Sequence, residues 1–370
     1  MKKVVHLCSG LGKGGAETML FNLLRYKDNS ELQYSVISFG LSNYYENEIK
    51  KLGIELIEIN LKKHPIKALF KSIKFIRDFD VLCCWLYHCN FIGYYIAKIA
   101  GTKKVLWNIR HSNLDPQFNK RLTLWINKFC SKKSENVDKI LYNGVKAKSV
   151  HESIGYDKEK SVILNNGCDT EEFKFKEKAR ASIISEIGIN QNKKIILSVS
   201  KYHAIKDIPT FIRTFSEMYR NDCESVAIMC GLRIDENNKD LCELIKDNGL
   251  FINENIFLLG LRDDIPELMS ACDLFILHSA GEAFPNTLIQ AMSCSALVIS
   301  TDVGDAIKII GDENFIVDVG DYNDLAKKSN YLLNSSLTEK MKIKKKNREI
   351  VVNNYDIKKI VKTYENIFLV

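Results

Sequence analysis

The chain has 370 residues, of which 46% are hydrophobic and 27% charged, so it is long enough for two domains and apolar enough for a core in each. This composition excludes a disordered or fibrous protein. The net charge of +7 is unevenly distributed, because residues 1–150 carry +13 and the remainder carries −6. Such an asymmetry between halves is informative about binding partners.

The cysteines and the longest apolar segment bear on the cellular compartment. The eleven cysteines show no C-x-x-C pair and no metal-ligand spacing, so we expect buried free thiols in a reducing environment. The apolar stretch near the N-terminus is too short for a signal peptide, and residues 81–100 are interrupted by polar side chains. These features predict a cytosolic protein without a membrane span.

Short β-type runs alternate with helical patterns from end to end, which is typical of α/β domains built on parallel sheets. A buried strand at residues 4–9 leads through a glycine-rich turn into a helix at about residues 16–26. Further strands are predicted at residues 34–39, 55–59, 81–86, 104–109 and 139–142. Residues 1–170 are therefore expected to form a first Rossmann-like domain.

A second series of strands follows a polar stretch near residues 165–181. Its predicted strands are residues 194–200, 226–230, 256–259, 274–278, 297–300 and 315–317. Residues 171–349 are therefore expected to form a second Rossmann-like domain, with a ligand cleft between the two. Residues 350–370 have helical apolar spacing and are expected to pack back toward the first domain.

The turn after the first strand contains Gly10, Gly12 and Gly15 at the G-x-G-x-x-G spacing of dinucleotide-binding folds. That function also needs an acidic residue at the end of the second strand, where the sequence has Gly40-Leu41-Ser42, so NAD binding is disfavoured. Two interpretations remain. The turn either lets backbone amides approach an anionic ligand or is a tight turn without a ligand.

The segment from Ser279 to Met292 carries a stronger signal. A strand runs into a loop and then into a helix that begins near Asn286, with Pro285 fitting the first turn. Amides of Asn286, Thr287 and Leu288 would point at one spot and favour a phosphate, with Glu282 and Gln290 on either side to bind hydroxyls.

Two lysines, Lys201 and Lys206, lie five residues apart in the loop after the first strand of the second domain. Cations there can neutralise a leaving diphosphate. The alternative is solvated surface charge, and the neighbouring segment around Glu282 favours the functional interpretation.

Over nearly its whole length the chain resembles the retaining glycosyltransferases of family 4, the group 1 transferases with the GT-B fold. The motifs that carry the resemblance, besides the Glu282 segment, are Asn166-Gly167-Cys168-Asp169, Gly260-Leu-Arg262-Asp-Asp264-Ile-Pro266, Thr301-Asp-Val-Gly304-Asp305, Tyr87-His88 and Asn108-Ile-Arg110-His111-Ser112. The resemblance implies an α/β protein whose two Rossmann-like domains face each other across a cleft.

The same resemblance implies a nucleotide-sugar donor held mainly by the second domain. Lys201 and Lys206 would bind its diphosphate, Glu282 its sugar, and Gln290 its ribose. The donor-binding residues implied are Gly14, Gly15, Arg262, Phe284, Asn286, Thr287 and Gln290. His111, or less favourably His88, would line the acceptor side, so that Glu282, His111, Lys206 and Lys201 form the catalytic set.

The sequence departs from the family pattern at several positions. Gln290 replaces the second glutamate of the motif, Ala283 stands where glycine is common, and Ser295 and Leu297 replace Gly and Pro after the helix. An amide at position 290 can still bind a hydroxyl, but it lacks the charge. Asp78-Phe-Asp80 has the D-x-D spacing of metal sites but lies far from these motifs, so no metal and no other cofactor is expected.

The implied function is transfer of a hexosyl unit from a nucleotide-sugar, a UDP-sugar by preference, to a glycan or lipid-linked acceptor with retention of configuration. The setting implied is bacterial surface polysaccharide or lipopolysaccharide assembly. The alternative is a catalytically silent nucleotide-sugar-binding or scaffold subunit. A nucleic-acid partner is not expected, since no recognised module is present.

The segment from Lys62 to Phe79 predicts a basic amphipathic helix. Its apolar residues are Ile66, Leu69, Phe70, Ile73 and Ile76, with Lys67, Lys71, Lys74 and Arg77 on the other face. Two interpretations are open: a surface helix packed on the sheet, or a docking site for an anionic membrane that carries the acceptor. The second would make the protein peripheral on the inner face of the cell membrane.

Overall fold

The computed structural model describes residues 1–40 and 44–370. The chain folds into two compact units: unit 1 comprises residues 1–167 and 357–370, and unit 2 comprises residues 168–356. The chain thus leaves unit 1 after Gly167 and returns after Asp356, where the sequence predicted boundaries after residues 170 and 349. Of the Gly40-Leu41-Ser42 segment that disfavoured NAD binding, Leu41 and Ser42 lie outside the described residues.

The strands and helices alternate along both units. In chain order the strands are β1 Lys2–Cys8, β2 Leu32–Ser38, β3 Glu55–Glu58, β4 Val81–Trp85, β5 Lys104–Ile109, β6 Lys139–Tyr142, β7 Ser161–Ile163, β8 Lys194–Val199, β9 Ser225–Cys230, β10 Ile256–Leu258, β11 Leu274–Leu277, β12 Val298–Thr301 and β13 Ile316–Val317.

The helices are α1 Gly15–Arg25, α2 Glu46–Lys51, α3 Pro65–Ile76, α4 Leu86–Ala100, α5 Arg121–Lys133, α6 Val145–Ser153, α7 Ala179–Ile187, α8 Ile208–Asn221, α9 Lys239–Asp247, α10 Ile265–Ala271, α11 Asn286–Ser293, α12 Ala306–Ile310, α13 Tyr322–Asn334, α14 Leu337–Asn354 and α15 Ile357–Leu369. Short 3-10 turns cover Ser134–Asn136, Ala204–Lys206 and Glu313–Phe315.

Each unit contains one parallel sheet. The seven strands of unit 1 are ordered β3-β2-β1-β4-β5-β6-β7, and the six strands of unit 2 are ordered β10-β9-β8-β11-β12-β13. In unit 1 the register places Val4 of β1 opposite Tyr34 on one side and Val81 on the other. The predicted α/β class with two Rossmann-like domains is confirmed. The edge strand β7 was missed because it has only three half-buried residues.

Helices cover both faces of each sheet, which explains why the strands were visible in the sequence as apolar runs. In β8, for example, Ile195 and Leu197 pack into the core on one face, whereas Ile196 packs into the core on the other. A parallel strand buried on both faces cannot alternate apolar and polar residues. Its sequence is therefore a short continuous hydrophobic stretch.

The C-terminal segment consists of two helices, not one. α14 belongs to unit 2 and ends at Asn354, and α15 belongs to unit 1 and begins at Ile357. Tyr364 and Phe368 of α15 are buried in the core of unit 1. Lys2 and Lys104 donate to the carbonyls of Leu369 and Ile367 at 2.7 and 2.6 Å, where cations stabilise the negative end of the helix dipole.

Residues 81–100, the longest apolar region of the sequence, form β4 and α4 in unit 1. Within residues 1–40 and 44–370, no helix combines the length and hydropathy that a bilayer-crossing segment needs. The cysteines are free thiols, buried except for the exposed Cys223 and the half-buried Cys242.

The prediction for the two faces of α3 was partly wrong. The buried residues of this helix are Ala68, Ser72 and Ile76, which follow one another at a spacing of four. Ile66 and Phe70 were expected on the apolar side, but they are 70% and 71% exposed. Small side chains at positions 68 and 72 form the packed face instead, so apolar residues share the outer face with the lysines.

Candidate donor site at the carboxyl edge of the unit 2 sheet

The loops that follow β8 and β11 are neighbours because these strands pair in parallel at the centre of the unit 2 sheet. The register places Leu274 opposite Ile196 and Phe275 opposite Leu197. The carboxyl ends of both strands therefore meet at one edge, which is where open α/β sheets bind ligands. The loop after β8 carries Lys201 and Lys206, and the loop after β11 carries Glu282.

Lys206 and Glu282, 76 residues apart, form an ion pair at this edge. The lysine side chain is 22% exposed and the glutamate side chain 14%. The hydroxyl of Ser279 also donates to Glu282 Oε1 at 2.9 Å. The structure thus joins two of the predicted catalytic residues in a pair that still reaches solvent.

His278, at the end of β11, connects the two loops. Its Nδ1 lies 3.1 Å from the carbonyl oxygen of Asp207, and its Nε2 lies 2.7 Å from the Ser198 hydroxyl. A carbonyl can only accept, so Nδ1 carries the proton and Nε2 accepts from Ser198. Burial lowers the pKa of His278 to about 4, so the ring is neutral near pH 7. His278 thereby fixes the backbone that follows Lys206.

Two further contacts hold the same loop. The Ala280 amide donates to the Ile205 carbonyl at 2.9 Å. Asp207 has a left-handed backbone, with φ 48°, and its carboxylate caps α8 by accepting from the Thr210 amide. The same carboxylate accepts from the Thr210 hydroxyl at 2.7 Å. Lys206 is therefore the last residue of a 3-10 turn and directly precedes a fixed helix start.

Lys201 is exposed and lies near the start of the same loop. His203 lies between the two lysines in the sequence, and its pKa is lowered by partial desolvation and then by the charges of Lys201 and Lys206. Their positive charges lie in a single loop at the carboxyl edge.

The helix after Glu282 begins at Asn286, as the sequence indicated, but Pro285 is its N-cap and does not lie in its first turn. The Leu288 amide donates to the Pro285 carbonyl at 3.1 Å, so this amide is used within the helix start. Asn286, Thr287 and Gln290 are all half-buried on this helix.

Gly304, after β12, supports the Glu282 loop from behind. A Cβ at position 304 would stand 2.9 Å from the carbonyl oxygens of both Glu282 and Ala283, and the residue has φ +56°. Both the close approach and the left-handed backbone require glycine here. The Thr301 hydroxyl donates to the Ser279 carbonyl at 2.7 Å and holds the same loop.

Two residues predicted to bind the donor have other partners in the structure. Phe284 is buried, and its ring packs edge-on against Tyr355 with centroids 5.6 Å apart, so its side chain belongs to the core. The Arg262 guanidinium binds Asp264, through a 2.7 Å bond from Nε, and also Glu186. These carboxylates raise the pKa of Arg262, Asp264 most strongly.

In unit 1, Gly14 is the N-cap of α1 and Gly15 its first residue. A side chain at position 14 would overlap the carboxylate of Glu17, which folds back toward the loop. Burial raises the pKa of Glu17. The glycine at position 14 thus leaves room for a half-buried carboxylate at the start of the helix, a contact that no local sequence pattern indicates.

The predicted acceptor-side histidines differ in their surroundings. His111 follows β5, and its Nε2 lies 3.3 Å from Asn119 Oδ1. Burial lowers the pKa of His111. His88 lies exposed on α4. Asp80 of the D-x-D segment accepts from the Lys3 amide at 3.0 Å and pairs with Lys103, which places it at the opposite, amino edge of the unit 1 sheet.

Arg110, between β5 and His111, is buried in unit 1 and was assigned no role from the sequence. Its Nε donates to Asn108 Oδ1 at 2.9 Å, and its other nitrogens donate to Asn166 and to the Tyr364 hydroxyl. The guanidinium carbon lies 4.9 Å from the centroid of the Trp85 ring. This arginine therefore ties the chain before the unit boundary to α15.

The family comparisons agree with this division of the chain. A model described as Glycosyltransferase Family 4 matches residues 13–172, and one described as Glycosyl transferases group 1 matches residues 179–350. The two matches together cover most of the chain.

Among curated proteins, the chain is similar to N-acetyl-alpha-D-glucosaminyl L-malate synthase of Bacillus anthracis, with 26% identity over 50% of this chain and 47% of that protein, so it spans about half of that relative. It is also similar to the N-acetylgalactosamine-N,N'-diacetylbacillosaminyl-diphospho-undecaprenol 4-alpha-N-acetylgalactosaminyltransferase of Campylobacter jejuni, with 26% identity over 88% of each chain.

Among solved structures, Anabaena HepE in complex with UDP and glucose matches with a TM-score of 0.85 and 20% identity, covering 99% of both chains. This structural likeness supports the fold. The two family models, which together match most of the chain, show that it belongs to the group 1 glycosyltransferases of family 4.

Proposed function

We propose that the protein transfers a hexosyl unit from a UDP-sugar to a glycan or lipid-linked acceptor with retention of configuration, in the assembly of a bacterial surface polysaccharide. The observation that carries this proposal is the half-buried Lys206–Glu282 ion pair at the carboxyl edge of the unit 2 sheet. A cation and a carboxylate side by side suit a donor that has a diphosphate next to a hydroxyl-rich sugar.

The pair can exchange partners when a donor binds. The diphosphate attracts the ammonium of Lys206, with Lys201 adding a second positive charge in the same loop. Glu282 Oε1 already accepts from the Ser279 hydroxyl at 2.9 Å and would then accept from a sugar hydroxyl. The backbone locked by His278 limits the reorganisation that this exchange requires.

The charge that develops during transfer determines where these residues act. As the bond between the anomeric carbon and the phosphate oxygen breaks, negative charge grows on the leaving diphosphate and the sugar becomes oxocarbenium-like. Lys206 and Lys201 stabilise that negative charge. In the front-side route, the acceptor oxygen bonds the anomeric carbon on the same face, and its proton passes to the leaving phosphate.

The donor and acceptor classes are supported by relatives. HepE was solved with UDP and glucose, and the Campylobacter relative is named for transfer to a diphospho-undecaprenol-linked acceptor. Gly14 and Gly15 remain predicted donor contacts and His111 a predicted acceptor contact. No metal is proposed to take part.

A catalytically silent sugar-nucleotide-binding subunit is the second candidate, because Gln290 replaces the family's second glutamate. An amide binds ribose hydroxyls without the added strength of a charge. A silent subunit would bind the nucleotide but would not turn over any donor.

The test measures transfer and donor hydrolysis with a panel of UDP-, GDP- and ADP-hexoses, for the native chain and for Glu282→Ala and Lys206→Ala. We expect turnover of a UDP-sugar by the native chain and a loss of roughly a hundredfold or more in both variants. NMR of the product anomer tests retention.

Lys308→Ala, a change at an exposed lysine on α12, is the matched control and should retain full activity. Unchanged activity in either Glu282→Ala or Lys206→Ala would contradict the assignment. Nucleotide binding without turnover of any donor would support the silent subunit.

A further inference from the structure

The helices α3, α4 and α5 form one layer on a single face of the unit 1 sheet. α3 packs against α4, and α4 packs against α5. Their outward surface, here called the α3–α5 face, is remote in sequence from Gly14 and Gly15. Of the residues on these three helices, His88 alone was predicted to line the acceptor side, as the alternative to His111. Every residue of these three helices is described in the structure.

The charge of the α3–α5 face has a single sign. The three helices, described in full, contain no Asp or Glu. Their basic residues are Lys67, Lys71, Lys74, Lys98, Arg121, Lys128, Lys132 and Lys133. Such a surface attracts anionic partners and repels cationic ones.

Large apolar side chains lie exposed among these charges. On α3, Ile66 and Phe70 are 70% and 71% exposed, beside Lys67 and Lys71. On α4 and α5 the exposed apolar residues are Tyr95, Ile99, Leu122 and Trp125. A group of this size on three adjacent helices is typical of a binding surface.

An aromatic cluster, defined as Phe91, Tyr95, Trp125 and Phe129, joins α4 to α5. Phe91 lies edge-on to Phe129 and Trp125, with centroids 5.0 and 6.0 Å apart, and Trp125 stacks on Phe129 at 6.0 Å. The cluster is held by its own ring contacts, yet Trp125 remains 57% exposed. Its outer ring is therefore positioned in advance for contact with a partner.

We propose that the α3–α5 face docks on an anionic lipid bilayer, with Phe70 and Trp125 entering the headgroup region and the lysines binding lipid phosphates. Aromatic rings beside lysines, without any carboxylate, match the chemistry of a membrane interface, where rings bury their apolar body and amines contact anionic headgroups. A nucleic acid would use the charge but not Ile66, Phe70 and Leu122.

The inference deepens the proposed function and rests on it for the nature of the acceptor, because a lipid-linked acceptor is carried by such a surface. The docking itself depends only on the α3–α5 face. The two proposals can therefore fail separately.

The first experiment is flotation of the full chain with vesicles of phosphatidylcholine alone and with about 30% phosphatidylglycerol, at about 0.1 M and about 0.5 M salt. We expect binding to the anionic vesicles at low salt, and a large decrease at high salt. Absence of binding to anionic vesicles at low salt would overturn the proposal.

Tryptophan fluorescence identifies the inserted residue. Of the three tryptophans, Trp85 and Trp107 are buried in unit 1 and Trp125 is exposed. Vesicles containing brominated lipid should therefore quench the emission of Trp125. The same vesicles should quench no emission in Trp125→Phe, and equal quenching of this variant would overturn the assignment of the face.

Substitutions then separate the apolar and charged contributions. Phe70→Ser and Trp125→Ser should each weaken vesicle partitioning roughly tenfold, as expected for loss of a partly buried ring. Lys67→Gln combined with Lys71→Gln should weaken it about 30-fold at low salt. The matched controls lie on α14 of unit 2 and should leave vesicle partitioning unchanged. Leu337→Ser is the control for the apolar substitutions, and Lys342→Gln with Lys346→Gln is the control for the lysine pair.

Two other outcomes would overturn the docking proposal. Equal losses in the α14 controls would mean that net charge, not this face, determines binding. A dimer in sedimentation equilibrium without lipid, lost in Trp125→Ser, would identify a second copy as the occupant. Hydrolysis of the sugar donor in solution is measured in parallel, so a loss of docking with turnover intact leaves the proposed function standing.

Discussion

Both units contain a parallel sheet with a cationic side chain at its carboxyl edge, but the two cations have different surroundings. In unit 1 Arg110, directly after β5, is 9% exposed and bonds Asn108, Asn166 and Tyr364. In unit 2 Lys206, in the loop after β8, pairs with Glu282 and keeps 22% of its side chain exposed. The first cation cannot leave without breaking several bonds, whereas the second can change partner.

Position in the fold does not by itself make a cation functional. Both residues lie where Rossmann-like sheets bind ligands. Burial and the number of internal bonds distinguish them, so Arg110 stabilises unit 1 and Lys206 is available for a ligand. Measurements of stability and of ligand binding in variants of the two units can test this distinction.

The largest effect on stability is expected from Tyr364→Phe. The hydroxyl accepts from Arg110 and, at 3.0 Å, from the Asn108 amide, so its loss leaves a buried guanidinium with fewer acceptors. We expect the free energy of unfolding in urea to fall by about 2 kcal/mol. Tyr331→Phe, at an exposed tyrosine of α13, should cost less than about 0.5 kcal/mol.

Lys206→Ala tests the contribution of the unit 2 cation to stability. Because its ion pair reaches solvent, the substitution should change the free energy of unfolding by less than about 1 kcal/mol. If Lys206→Ala destabilised the protein more than Tyr364→Phe does, the contrast between the two cations would be wrong.

A smaller effect on stability is expected from three buried histidines, His6 and His151 in unit 1 and His278 in unit 2. Burial lowers the pKa of His6 to about 3, and those of His151 and His278 to about 4, from 6.5. The unfolded chain therefore binds more protons between pH 6.5 and these values. The free energy of unfolding must fall as the pH drops through that window.

Substitution isolates each contribution. When the pH falls from 7.5 to 5.5, the free energy of unfolding of the native protein should decrease by about 1 kcal/mol per buried histidine. His151→Asn and His278→Asn should each make this decrease smaller by about 1 kcal/mol. Urea titrations at the two pH values measure it, with His64→Asn, an exposed position, as the control. An undiminished pH dependence in both variants would show that these rings do not titrate as the burial indicates.

Much of the fold followed from the sequence because strands buried on both faces produce short apolar runs. The buried and exposed faces of α3 did not follow from the sequence, because the small residues Ala68 and Ser72 pack inward while Phe70 remains in solvent. From hydrophobicity alone, Phe70 would be expected to be buried and Ala68 and Ser72 to be exposed. The packed face depends on how closely α3 approaches α4.

The candidate site was predictable as a set of residues but not as a set of contacts. Lys206 and Glu282 were assigned to one site, and the structure joins them. Arg262 was predicted to bind the donor, but Glu186, 76 residues away, folds against it. His278 was considered only as the end of a strand, because its role depends on the Asp207 carbonyl, which no local pattern reveals.

The most direct test of the exchange of partners by Lys206 is calorimetric titration of UDP into the native chain, Lys206→Ala, Glu282→Gln and the control Lys308→Ala. We predict that Lys206→Ala weakens UDP binding roughly 10- to 100-fold, while Lys308→Ala leaves it unchanged. Glu282→Gln should bind UDP as tightly as the native chain or more tightly, because the lysine loses its competing carboxylate. Equal UDP affinity in Lys206→Ala and the native chain would contradict the account.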